Sequence, residues 1–139
     1  MSFPDPAAAE AAFYEAFSTL DLTQMRTVWL DSERASCIHP GAGLLQGIDT
    51  IMASWAAMFD NSQIPQVEHR LIQVSRDTNL TVHTVAENVS TDSGRRSALI
   101  LATNVYIRID DRWHMLAHHA SLPLINQEQD QEQQPPPLH

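Results

Sequence analysis

Moving a proton at a carbon next to a carbonyl needs a side chain that takes and returns it and a donor that steadies the charge left behind. In this chain of 139 residues, the carboxylates that fall inside strand-like segments are Glu68 and Glu87. Glu87 is the better placed, because Thr81, His83, Val85 and Glu87 alternate onto one face of an extended segment. It reads either as a pocket acid or as a rim carboxylate held by solvent or an arginine. Asn104 is the second polar candidate, since a polar residue beside small ones such as Ala102 and Ala117 marks a cavity. His39, His69, His83, His114, His118 and His119 invite a metal reading. Spacing argues against it: His118 and His119 are adjacent on a strand and face opposite ways, and His114 lies about 13 Å from His118 at the usual rise. A site drawn from several strands, such as His39 with His119 and Glu87, is the alternative, but a sheet histidine bonded to a backbone carbonyl is the commoner case. We expect no metal. The single cysteine, Cys37, has no base beside it and reads as a buried inert thiol.

These residues must be positioned by a hairpin, Leu99 to Arg108 and Trp113 to Ser121, turning at Asp110-Asp111. With a two-residue turn, Arg108 faces Trp113, Tyr106 faces Met115, Asn104 faces Ala117 and Ala102 faces His119, all on one side. The other side carries Leu99, Leu101, Thr103, Val105 and Ile107 opposite Ala120, His118, Leu116 and His114, an aliphatic strip suited to packing.

Upstream, Asp5-Pro6 starts a first helix with an N-cap and a proline in the first turn, and Phe13, Tyr14, Phe17 and Leu20 give it an apolar face. Asp21 with Gln24 has the form of a capping box for a short second helix whose buried side is Met25, Val28 and Trp29. Ser36 to Pro40 reads as a short strand, and Gly41, Gly43 and Gly47 as turns around Leu44-Leu45 rather than a phosphate loop, whose spacing they lack. A third helix runs from about Asp49 to Asp60 with Ile51, Trp55, Met58 and Phe59 on one face. Strands follow at Gln66 to Ser75 and Leu80 to Ser90, with a turn at Thr91 to Gly94, so the second half is close to a four-stranded antiparallel meander. Helices first and strands after is an α+β arrangement.

The 17 acidic and 8 basic residues give a formal charge of -9. All the basic residues are arginine, which excludes a lysine base or Schiff base. Such a surface disfavours nucleic acid and anionic membrane as partners. The start lacks the basic and apolar regions of a signal peptide and no apolar run is long enough to span a bilayer, so the cytoplasm is the expected compartment. We expect one domain over residues 1–123 and a disordered Gln-, Glu- and Pro-rich tail over 124–139.

Met25-x-x-Val28-Trp29, Cys37-Ile38-His39-Pro40 with Leu45-x-Gly47, Ser54-Trp55, Ala102-Thr103-Asn104-Val105-Tyr106 and Trp113 through His119-Ala120-Ser121 together resemble the nuclear transport factor 2-like superfamily. Within it, the chain resembles the SnoaL-like and ketosteroid-isomerase-like small bacterial proteins. The calcium/calmodulin-dependent kinase II association domain is similar in its Cys-x-x-Pro strand and its last Trp-to-Ser strand. The resemblance implies a cone: a curved antiparallel sheet wrapped around the N-terminal helices, enclosing a pocket, with a homodimer formed through the outer sheet face. On this mapping Leu99, Leu101, Val105, Ile107 and Leu116 form the dimer surface. Tyr14, Trp29, His39, Trp55, Glu87, Asn104 and His119 border the pocket. Asn104 stands where the kinase domain places a pocket arginine, which removes that preference for an anion. An isomerase of the ketosteroid type uses an aspartate base and a protonated aspartic acid, and no aspartate falls in a strand here.

Two functions follow. The first is a small-molecule binding protein, with the option of a cofactor-free isomerase, cyclase or hydratase acting on a small hydrophobic or polyketide-like compound. Its base would be Glu87 or a pocket histidine, chiefly His119, and Asn104 would steady the oxyanion. The second is an oligomerisation and association module without catalysis.

Overall fold

The computed structural model describes residues 2–61, 64–91 and 96–123. The predicted turn at Thr91 to Gly94 falls largely outside them, and the tail predicted over 124–139 lies outside them altogether. Helix α1 (Pro6–Thr19) begins as its sequence dictates: the Asp5 carboxylate accepts from the Ala8 N–H at 2.8 Å and Pro6 occupies the first turn. It ends at Leu20, whose left-handed backbone (φ 55°) swings the chain directly into α2 (Leu22–Val28). Asp21 caps α2 by accepting from the Gln24 N–H at 3.0 Å. The reciprocal half of the box is not formed. The Gln24 amide instead donates to Ala12 O at 3.1 Å and Glu15 Oε1 at 2.8 Å, tying α2 to α1.

Strands β1 (Ser36–Ile38) and β2 (Leu44–Gln46) make a small hairpin before α3 (Ile48–Asn61), and four long strands follow: β3 (Gln66–Arg76), β4 (Leu80–Thr91), β5 (Arg96–Ile109) and β6 (Arg112–Ser121). Gly47 enters α3 at φ 90°, a left-handed backbone that strains any residue with a Cβ. The predicted meander is present as β3 to β6. The full sheet has six strands in the order β2-β1-β6-β5-β4-β3, and β1 lies parallel to β6. Helix α1 contacts both β3 at the sheet edge and β6 three strands away, so the sheet curves around it. Phe13, Met25, Val28, Trp29, Ile51, Trp55, Val85 and Met115 fill the space between helices and sheet, and burial of this apolar area holds the layers together. Among the described residues, no helix is long and apolar enough to cross a membrane.

The β5–β6 hairpin turns on Asp110 and Asp111, both with left-handed φ (54° and 63°), and pairs Arg108 with Trp113 and Tyr106 with Met115 as predicted. The regular ladder then breaks. A bulge admits Leu116 as an extra residue, so that Val105 pairs with Ala117, Asn104 with His118 and Ala102 with Ala120. This corrects the expected register of the upper hairpin. His118 and Ala120 turn inward, and His119 faces out. On the outer face Leu99 and Leu101 are exposed while Val105, Ile107 and Leu116 are half-buried.

Candidate functional site

Helix α1 carries Glu10 and Tyr14 four residues apart, hence on one face, turned to the sheet. Strand β4 presents His83 and Glu87, again four apart and on one face. Strand β5 adds Asn104 and Tyr106, and β6 adds His118 because of the bulge. All seven are buried, none more than 5 % exposed.

Their polar atoms form one continuous network. Glu10 Oε2 accepts from the Tyr106 hydroxyl at 2.7 Å, His83 Nδ1 at 3.0 Å and Asn104 Nδ2 at 3.2 Å. The Tyr14 hydroxyl donates to Glu87 Oε2 at 2.6 Å and accepts from Asn104 Nδ2 at 3.1 Å. His118 Nδ1 donates to Asn104 Oδ1 at 2.6 Å. Asn104 is thus the junction between the two carboxyl groups. His69, exposed on β3 and paired with Glu87 across the ladder, stacks on the Tyr14 ring at 4.2 Å.

Burial dominates the electrostatics. Removal from water pushes the Glu87 carboxyl up to about 7; the nearby Glu10 charge adds to this, and the Tyr14 hydrogen bond opposes it. Burial, then the Glu87 charge, pushes Tyr14 far above the usual phenol range, and burial with Glu10 does the same to Tyr106. Both therefore act as hydrogen-bond donors. His118 is driven down to about 3 by burial, with His39 and His119 as further causes, and stays neutral. The arrangement holds one carboxyl, Glu87, that exchanges a proton near neutral pH, beside a second, Glu10, held by three donors. That is the equipment of general acid–base chemistry.

The structure brings Tyr14, Glu87 and Asn104 together among the residues singled out from the sequence. It does not bring the others. Trp29 and Trp55 are core side chains, their indole N–H groups unbonded among the described residues. His39 bonds Ser54 Oγ at 2.9 Å and meets Trp55 edge-on at 4.8 Å. His119 is on the outer surface, its Nε2 3.2 Å from Ser36 Oγ, because the bulge reverses its side. Asn104 spends both amide hydrogens on Glu10 and Tyr14, so it orients those groups. Cys37 is buried, with its thiol pushed up to about 12 by desolvation. Glu68 lines a cavity of about 360 Å³ whose wall also includes His69, Arg70, Glu87, Asn88 and Leu99. Sequence reasoning missed Glu10 and Tyr106 and weighed His69 and His118 only as metal ligands. The signal for Glu10 was present, one helical turn before Tyr14, but it sits among alanines and reads as a surface residue. Among the described residues no three His, Cys, Asp or Glu side chains converge as metal ligands.

A curved sheet around helices, with proton-handling groups in its interior, defines an α+β domain of the cone type. Residues 7–125 match the SnoaL-like domain, and the chain belongs to that family. A calcium/calmodulin-dependent protein kinase type II association-domain protein of Thiobacillus denitrificans superposes with a TM-score of 0.84 and 36 % identity, covering 88 % of this chain and 98 % of its own. A protein of Streptomyces avermitilis, assigned as a dehydratase of the NTF2-like family, gives a TM-score of 0.76 and 29 % identity over 86 % of this chain and 94 % of its own. A ketosteroid isomerase-like protein of Erwinia carotovora, at 14 % identity and TM-score 0.71 over 86 % and 94 % of the two chains, shares the fold. The F-box protein SKIP8 of Arabidopsis thaliana is 28 % identical over 117 residues, which is 84 % of this chain and 49 % of that protein; the chain spans about half the length of this curated relative.

Proposed function

We propose that this protein binds a small hydrophobic carbonyl compound in the cavity that Glu87 and His69 help to line and moves a proton on it without a cofactor, as an isomerase, cyclase or hydratase does. The observation that carries this reading is the buried Glu87 carboxyl, raised to about 7 and held by Tyr14 at 2.6 Å. A group with that affinity both takes and returns a proton at neutral pH. Glu87 removes a proton from the carbon beside the carbonyl and gives it back at another position, so no net charge or redox equivalent is consumed. Tyr14 holds it in place, Asn104 holds Tyr14, and Glu10 fixes Asn104. The dehydratase and isomerase names of relatives with this fold support the reaction class.

The same reading includes a homodimer through the outer face of β5 and β6, supported by the exposure of Leu99 (51 %) and Leu101 (39 %) beside Val105, Ile107 and Leu116 and by the association-domain name of the Thiobacillus protein. The cytoplasm, suggested by the single cysteine, which fits a reducing compartment, is its proposed compartment.

The test is deuterium uptake. Incubated in D2O with saturated and β,γ-unsaturated cyclic ketones, the protein is expected to exchange the protons beside the carbonyl, followed by NMR. Glu87→Gln should slow this by roughly 10²- to 10⁴-fold, the usual contribution of a general base. Exchange at the buffer rate, or exchange that Glu87→Gln leaves unchanged, defeats the reading and leaves association as the role.

A further inference from the structure

At the opposite end of the buried network from Glu87, a cavity of about 260 Å³ opens between the first turn of α1 and the inner face of β3. Its floor is Thr81 and His83 of β4, 2 % and 4 % exposed. The Thr81 hydroxyl has no hydrogen-bond partner among the described residues, although the side chain is almost wholly removed from water. A polar occupant of the cavity can supply the partner that this hydroxyl lacks. His83 is committed through Nδ1 to Glu10.

The walls state what that occupant is. Arg76 stands directly across the ladder from Thr81, on the same face, and its guanidinium makes no ion pair among the described residues. The first turn of α1 adds the unbonded Ala7 N–H at the positive end of a 14-residue helix. Leu71 and Val74 supply an apolar wall. One acidic side chain, Asp5, is present, and its carboxylate is already held by the Ala8 N–H. A single unpaired cation against that acid suits a monoanion and disfavours phosphate or a dicarboxylate. The volume lies below the range of about 300–1,000 Å³ usual for drug-sized ligands.

We infer that this cleft is a binding site for a small monocarboxylic acid with a compact apolar tail, the carboxylate meeting Arg76 and Thr81 and the tail lying on Leu71 and Val74. The site is separate from the Glu87 chemistry and does not rest on it.

Sodium benzoate is the probe, titrated into the whole isotope-labelled protein and followed by NMR. Saturable shifts of the Leu71 and Val74 methyl groups and of the Thr81 amide are expected. Benzamide, which lacks the charge, should bind about ten-fold more weakly, as should benzoate to Arg76→Gln, an exposed and fold-neutral change. Thr81→Val, of the same shape, should weaken benzoate several-fold, in keeping with one lost hydrogen bond. Three results overturn the inference: shifts that do not saturate, equal binding of benzamide and benzoate, or shifts centred on Tyr14 and Glu87, which would put the acid in the interior site.

Discussion

Two buried residues, Glu87 and His118, give the protein opposing responses to pH. Glu87 titrates at about 7 in the folded chain against an ordinary value of 4.5, so between those pH values the folded state holds the extra proton. Stability falls as pH rises through that window, by at most about 3 kcal/mol. His118 titrates at about 3 against an ordinary 6.5, so there the unfolded chain binds the extra proton and stability rises with pH. The two slopes overlap and offset each other between 4.5 and 6.5. Glu87→Gln removes the first. Urea denaturation at a series of pH values should show the variant gaining stability over the wild type from pH 4.5 to 7, by up to about 3 kcal/mol; parallel curves would mean that Glu87 titrates as an ordinary surface acid.

At the scale of elements, the β5–β6 turn is an adjustable feature. Asp110 and Asp111 both sit at left-handed φ, which glycine adopts without strain and aspartate does not. Asp111→Gly is expected to raise the melting temperature through a gain of about 0.5–1 kcal/mol, and a loss would show that the aspartate side chain stabilises the turn. The turn also marks how far the sequence could be read. Local signals were sufficient for the Asp5 and Asp21 caps, for the common face of Thr81, His83, Val85 and Glu87, and for the pairing of Tyr106 with Met115. They failed one residue beyond Met115, where Leu116 bulges. Alternation carries no mark of an extra residue; the bulge is chosen by tertiary contacts, the His118 bond to Asn104 and the packing of Ala120 with Ile100 and Ala102. The parallel pairing of β1 with β6 was invisible for a related reason, since it joins segments some eighty positions apart. Glu10 was overlooked because its three donors come from β4 and β5.

For the whole molecule, the sheet has one face filled by helices and one bearing a row of apolar side chains. Leu99→Glu with Val105→Arg should leave the interior intact and turn a dimer into a monomer in sedimentation velocity, with Leu99 half exposed in the single chain. A wild-type protein that sediments as a monomer would assign that face to solvent. The Leu116 bulge has a consequence for heredity. Losing that one codon would leave His118 opposite Asn104 and Ala120 opposite Ala102 while restoring a straight ladder. Interior chemistry is written in the alternation of the strand, and its bend in the number of residues. Selection can therefore reshape the enclosure by insertion and deletion without disturbing the groups inside it.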